Sequence, residues 1–402
     1  MIPTQLSFDN VTLLFPKKLN WEKWKQQKSD IPFSDSVVEF LNALSSLLLK
    51  DKGIRNYTDI VTFAFFCRKA NILTLKKEHS SAELRLGRGI LFHVAPSNVP
   101  INFGYSLVAG LLSGNRNVVR VSAKEFPQVD IVARAIALLS EKYQNVTDRI
   151  VLVRYERSSN ATTAFSAVCD VRIIWGGDET IAQIRQSPIP PRSFDVTFAD
   201  RYSLAVINAD ELIHEPEMKK LAASFYNDTY LFDQNACSAP HLLIWLGNRE
   251  NIQAAQEKFW NSVHEVVREK YELQPALAVN KLTAFYRQAV AMPVKKEASQ
   301  DNLVWRVVLE KLPDNIDEFR CAGGYFTEFI ASSIDEIAPI IKNKYQTLGY
   351  YGIKRDLLTN FVIGNRLPGL DRLVPIGETT AFALTWDGYD LIKTLTRRVS
   401  VM

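Results

Sequence analysis

From Gly89 onward the chain alternates short, continuous apolar runs with longer stretches whose apolar positions recur at helical spacing. Gly89–Ala95, Asn117–Val121, Arg149–Val153 and Val171–Trp175 read as strands, with Ile101–Leu112, Val129–Tyr143, Asn160–Val168 and Asp178–Gln186 as the helices around them. Gly114-Asn115 closes the first of these helices. Parallel strands need crossovers, and helices supply them, so the pattern predicts an α/β domain of the nucleotide-binding type. The proline-rich stretch Ser187–Arg192 breaks the series and is expected to mark the approach to a domain boundary. A second series follows: strand Ser203–Asn208, helix Glu215–Tyr226, strand His241–Leu246 and the long helix Glu250–Tyr271. Before Gly87 the pattern is mostly helical, with Val37, Val38, Leu41, Leu44, Leu47 and Leu48 spaced to form one packing face.

Composition changes this picture little. The 402 residues, 47% of them hydrophobic, are enough for a sizeable core and two or three structural domains. A net charge of +4 is too small to argue for nucleic acid and leaves phosphate-rich cofactors open. Met1–Asn20 lacks a basic start followed by an apolar core, and no apolar run approaches the roughly 18 residues of a membrane span. The expectation is a soluble, cytoplasmic protein. Four cysteines without paired spacing fit free thiols in a reducing compartment, and the five scattered histidines predict no metal site.

One thiol stands apart. Cys237 lies in Asp233-Gln234-Asn235-Ala236-Cys237-Ser238-Ala239-Pro240, a polar turn before the apolar strand His241–Leu246, where a rigid element can hold a side chain toward a cleft. Cys67 sits in an apolar run, Cys169 just before a strand, and Cys321 beside Gly323-Gly324. Cys237 is the candidate nucleophile, although a lone cysteine is more commonly a small buried hydrophobe. Two further turns carry chemistry. In Pro96-Ser97-Asn98-Val99-Pro100 two prolines brace a single amide side chain before a helix, which suits an oxyanion donor and equally a helix cap. In Trp175-Gly176-Gly177-Asp178 the glycines let a ligand approach a helix N-terminus, where unpaired amides favour phosphate. The Gly-x-Gly-x-x-Gly spacing of a plain Rossmann dehydrogenase is absent from this turn.

The Pro-Ser-Asn-Val-Pro turn, the Ser113-Gly114-Asn115 helix end followed by Val119-Arg120-Val121, the Gly176-Gly177 turn and the Asp233–Cys237 loop, in that order, resemble the LuxC-type acyl-CoA reductases of the aldehyde dehydrogenase superfamily. Phe198-Ala199-Asp200-Arg201-Tyr202-Ser203, Tyr345-Gln346-Thr347-Leu348-Gly349, Asp371-Arg372 to Gly377 and Trp386-Asp387-Gly388 extend the resemblance, which runs from about Gly87 to the C-terminus. It implies an aldehyde dehydrogenase-like α/β fold, with a Rossmann-type nicotinamide-binding domain at 87–202 completed by about 366–402 and a catalytic domain at 203–365; the helical N-terminal region at 1–86 rests on the residue pattern alone. It also implies roles. Cys237 matches the nucleophile, and Asn98 matches the asparagine whose amide, with the backbone N–H of Cys237, binds the oxyanion. The expected cofactor-binding set is Ser97, Arg120, Ser122, Lys124, Gly176 and Gly177. Arg120 falls where the superfamily often has a lysine near the adenosine ribose, so its charge favours a 2′-phosphate and NADPH, with an ordinary surface arginine as the alternative. Phe198 replaces the glutamate that activates water in hydrolytic relatives, and the glutamate that holds the nicotinamide ribose is missing near Arg320–Gly324. The expected function is NADPH-dependent reduction of an acyl-CoA to the aldehyde through acyl-Cys237, in a homo-oligomer. The alternatives are a reductase fed with acyl-adenylate by a partner ligase, and a non-catalytic acyl-binding or docking subunit.

Overall fold

The computed structural model describes residues 10–299 and 301–401. The chain forms two compact units: one runs to Ala199 and resumes at Phe382, and the other is Asp200–Ala381.

The first unit contains strands β1 (Thr12–Phe15), β2 (Leu84–Gly87), β3 (Ile90–Val94), β4 (Arg116–Arg120), β5 (Ile150–Arg154), β6 (Val171–Trp175) and β7 (Phe194–Phe198). Its main sheet has the order β1-β5-β4-β3-β6-β7, parallel except for the edge strand β1. Helices Asn102–Leu112, Pro127–Leu139, Ala161–Ser166 and Asp178–Arg185 fall between successive strands from β3 to β7. Every residue of β3 is buried, as a strand covered on both faces requires: Leu91 packs on one side, Ile90, Phe92 and Val94 on the other. The break at Ser187–Arg192 comes one strand before the unit boundary at Ala199. The prolines stop the helix, and the chain then adds β7 to the same sheet, parallel to β6. The N-terminal helices have no core of their own. Val37, Val38, Leu41, Leu44 and Leu48 of helix Asp35–Lys50 join the cluster that contains Leu91, Val119 and Leu152, with Leu47 at its edge. Leu384, Trp386, Leu391, Ile392 and Leu395 complete that cluster from the C-terminal segment.

The second unit is built on β8 (Tyr202–Asn208), β9 (Pro240–Leu246), β10 (Val294–Lys296), β11 (Trp305–Leu309), β12 (Tyr325–Ile330), β13 (Tyr345–Tyr351) and β14 (Arg372–Pro375). They form a sheet of order β10-β11-β12-β9-β8-β13-β14, parallel except for β10. The helix expected over Glu215–Tyr226 runs Met218–Thr229, starting later because Pro216 disfavours helical geometry at Glu215, and a separate short helix, Ala209–Leu212, precedes it. Helix Arg249–Lys270 packs Phe259, Trp260 and Val263 into one cluster with Ala205, Leu243 and Trp245 of the sheet. Among the described residues, no helix is long and apolar enough to cross a membrane.

Candidate active site

Burial separates the four thiols. Cys67 and Cys169 are buried, and desolvation pushes both thiols up, Cys169 to about 12. Cys321 is half-buried and raised by the same cause. Cys237, also half-buried, sits on a loop that the rest of its unit holds in a demanding shape. Asp233 and Gln234 both have positive φ, 51° and 60°, a left-handed geometry that costs of order 1 kcal/mol or more per non-glycine residue unless its surroundings impose it. The surroundings do. The buried amide of Gln234 donates to the carbonyls of Pro240 (3.0 Å) and Tyr325 (3.1 Å) and accepts from the N–H groups of Gly324 (2.9 Å) and Tyr325 (3.2 Å), which uses all four of its hydrogen-bonding positions. The Asp233 carbonyl accepts from the N–H of Gly323 (3.0 Å), and its carboxylate accepts from the Tyr271 hydroxyl (2.7 Å). Gly324 must be glycine here, since its φ is +87° and a Cβ would lie 2.3 Å from the Leu303 carbonyl and the Tyr230 hydroxyl.

The loop delivers Cys237 to the amino-terminal edge of the sheet, beside the starts of β8, β9 and β13. The Ser203 hydroxyl donates to the Cys237 carbonyl (2.7 Å) and accepts from the N–H of Thr347 (3.2 Å). Gln346 Nε2 lies 3.3 Å from Cys237 Sγ, aimed at the sulfur as a donor. Nearby charges pair with one another: Arg320 with Asp200 (2.5 Å), Lys344 with Asp200 (3.4 Å), and Arg201 with Asp371 (2.5 Å). His241 is buried, and desolvation pulls it down to about 3, so it is neutral.

In the first unit the chain leaves β3 toward β4 and β5, then returns to the other side of β3 for β6 and β7. The connections diverge between β3 and β6, and at such a switch point a parallel sheet opens a crevice beyond its carboxyl ends. Registers Val94↔Arg120 and Val94↔Ile174 bring three strand ends level there. The turns after them carry Ser97 and Asn98, Ser122 and Lys124, and Gly176 and Gly177. Ser97 and Asn98 are exposed. The cap reading of Asn98 fails: the following helix starts at Asn102, with Ile101 in the cap position and no side-chain cap bond. Arg120 is not a surface arginine. It is 8% exposed, its guanidinium donates to the Tyr155 carbonyl (3.2 Å) and lies 5.1 Å from the Tyr155 ring, and its Nε has no hydrogen-bond partner among the described residues. The buried Ser122 hydroxyl accepts from the N–H of Lys124, whose exposed ammonium lies 5.1 Å from the Phe126 ring. Gly177 is the cap of helix Asp178–Arg185, and a Cβ there would meet nothing within 4 Å, so a ligand has room. Asp178 and Glu179 in the first turn oppose an anion, so phosphate binding at this turn would rest on its backbone N–H groups. Phe198 stacks on Trp175 with ring centroids 3.7 Å apart.

The cofactor-binding candidates thus share one sheet edge of the first unit, while Cys237 belongs to the second. Gln346 and Ser203 fall within the motifs of the resemblance but have no role assigned there; the available signal is a polar residue second in each of two largely apolar strands. Among the described residues no group of His, Cys, Asp and Glu could hold a metal ion.

The model of the acyl-CoA reductase (LuxC) family matches residues 31–398. The long-chain acyl-protein thioester reductase of Vibrio harveyi is 22% identical over 321 residues, covering 78% of this chain and 63% of the relative. That of Aliivibrio fischeri is 21% identical over 326 residues, covering 78% and 64%. The chain therefore spans less than two thirds of the length of these relatives. Among solved structures, the NAD-dependent benzaldehyde dehydrogenase of Corynebacterium glutamicum aligns with a TM-score of 0.59 at 12% identity, covering 94% of this chain and 86% of the other. The Thermus 1-pyrroline-5-carboxylate dehydrogenase with bound NAD gives 0.61 at 14% identity, covering 94% and 82%. These likenesses establish an aldehyde dehydrogenase-like α/β fold. Since the family match runs through both units and the fold agrees with it, the chain belongs to the LuxC family of acyl-CoA reductases.

Proposed function

We propose that this protein reduces an acyl-CoA thioester to the aldehyde with NADPH, and that Cys237 carries the acyl group. The observation that carries this reading is the Cys237 loop, a left-handed turn held by the Gln234 amide that presents a half-exposed thiol at a sheet edge. Attack of the thiolate on the thioester carbon expels CoA and leaves an acyl-cysteine. The oxyanion formed on the way needs fixed donors, and the resemblance supplies two, the Asn98 amide and the N–H of Cys237. Ser97, Arg120, Ser122, Lys124, Gly176 and Gly177 are the residues that would hold a nicotinamide, which supplies the hydride when bound. The room at Gly177 and the unpartnered Nε of Arg120 fit such a ligand. Phe198 holds an aromatic ring where a hydrolytic relative has a base, which disfavours loss of the acyl group to water. Arg120 is the reason for choosing NADPH, although the Corynebacterium and Thermus neighbours are named for NAD. A second reading, in which the acyl group arrives on a partner protein, is favoured by the relatives' name, acyl-protein thioester reductase.

Incubation with a good acyl-CoA and no reductant is expected to add one acyl mass, located on Cys237 by peptide mapping. Labelling that survives Cys237→Ala would overturn the assignment. Delivery by a partner protein predicts slow labelling by acyl-CoA alone and fast labelling when the acyl group is presented on protein.

A further inference from the structure

We infer that Gln346 is a catalytic residue, a neutral donor that holds the Cys237 sulfur as thiolate and fixes its direction. The inference rests on the proposed thiolate chemistry and extends it to a residue 109 positions away in the chain.

Two independent observations converge on it. The first is the contact itself, Nε2 to Sγ at 3.3 Å, made by a side chain with 0% exposure. The Thr347 hydroxyl donates to the Oε1 of the same amide (3.3 Å), which turns the N–H face toward the sulfur. The second is sheet register. Between Tyr345 and Leu348, three steps of β13 lie against two steps of β8, Tyr202 to Leu204, so one extra residue is inserted at Gln346-Thr347. On the other side of β8, Pro240 to Leu242 of β9 lie against Ser203 to Leu204, which inserts an extra residue at His241. Bulges are uncommon between parallel strands and serve to re-aim a side chain. Here both flank Ser203, the residue that grips the Cys237 carbonyl, and one of them carries the amide that touches the sulfur.

An N–H donor to sulfur favours the charged form, with the thiol proton passing to solvent. The charged groups on the elements around the loop are engaged elsewhere: Asp200 with Arg320 and Lys344, Arg201 with Asp371, and Asp233 with Tyr271, while His241 is neutral. The amide supplies a neutral hydrogen-bond donor at the sulfur.

The test is the pH dependence of Cys237 alkylation by iodoacetamide, followed by mass spectrometry of its peptide. It needs neither cofactor nor acyl substrate. In the intact protein the midpoint is expected below the ~8.5 of a free thiol; a midpoint at or above that value overturns the proposal without recourse to any variant. Gln346→Met, which keeps length and removes the donors, is expected to raise the midpoint by about one unit and to slow alkylation at pH 7 about tenfold. Gln346→Glu is expected to raise it further by adding negative charge. Unchanged profiles in both variants overturn the role of Gln346, even if acyl transfer to Cys237 proceeds. Shifted profiles in a protein that reduces no acyl thioester support the amide's hold on the sulfur and place the failure in the proposed reaction.

Discussion

At the scale of single residues, Asn98 offers the sharpest separation of a chemical role from a structural one. It follows β3 in an exposed turn, and the cap position of the helix beyond is Ile101. Asn98→Ala is therefore expected to leave the melting temperature near that of the unmodified protein. If the amide binds an oxyanion, kcat should fall by about 10² to 10³ while NADPH affinity is retained. Single-turnover reduction of preformed acyl-enzyme, with the melting curve recorded on the same preparation, checks both parts. An unaltered rate would remove Asn98 from the mechanism. Arg120 belongs to the same scale. Because it is buried against Tyr155, Arg120→Ala should narrow any preference for NADPH over NADH and also lower stability, so the preference must be read as a ratio of kcat/KM values on folded protein.

At the scale of elements, the carboxyl half of β3 is joined to its neighbours by a buried polar chain whose hydrogens can be placed by elimination. Trp175 Nε1–H can only donate, so the Ser106 hydroxyl accepts it (3.1 Å) and gives its own hydrogen to His93 Nδ1 (2.7 Å). His93 Nε2–H then donates to Asn117 Oδ1 (3.0 Å), and Asn117 Nδ2 donates to the Asn115 carbonyl (2.9 Å). This arrangement needs a neutral imidazole, and burial pulls His93 down to about 4. A depressed folded pKa contributes stability that is complete above the unfolded value of ~6.5 and is lost as pH falls toward 4. Between pH 7.5 and 4.5 the His93 contribution should fall by about 2–3 kcal/mol. Urea midpoints at both pH values, for the intact protein and for His93→Gln, test this; equal losses in the two proteins would rule it out. Strands β3 to β6 and the helices between them were legible because their periodicity is local, whereas β1, β2 and β7 were not. The chain of polar contacts was not, since its members come from β3, β4, β6 and a helix, and their meeting depends on strand order.

At the scale of the whole molecule, the first unit is closed by a segment that arrives after the entire second unit. Asn115 Nδ2 donates to the Leu395 carbonyl (2.9 Å), Arg88 Nε donates to that of Thr394 (2.8 Å), and Thr396–Val399 pairs antiparallel with β2. Leu384, Trp386, Leu391, Ile392 and Leu395 are buried with it. At roughly 1.5–3 kcal/mol for each buried apolar side chain, the segment contributes an amount comparable to the 5–15 kcal/mol that separates a folded domain from its unfolded chain. A chain ending at Ala381 is thus expected to lose the cooperative melting of the first unit and to expose it to protease. Retention of that transition would show the segment to be dispensable. Cys237→Ala, by contrast, removes one small half-buried side chain and should melt within a few degrees of the unmodified protein.

The sequence by itself determined the strands and helices from β3 to β6, the strands β8 and β9 with the long helix that follows them, the helical stripe before Gly87, the prominence of Cys237 over the other thiols, and the family. Each is recorded locally, as a period, a turn or a short motif. Only the tertiary structure decided that β7 lies beyond the proline break, that the N-terminal stripe and the last apolar residues share one core, and that the carboxyl ends of β4, β3 and β6 stand side by side. It also decided that Gln346 reaches the sulfur of Cys237. Periodicity states which face of an element is buried and is silent about what covers it. Strand order and a one-residue bulge in register answer that, and both arise from contacts between residues far apart in the chain.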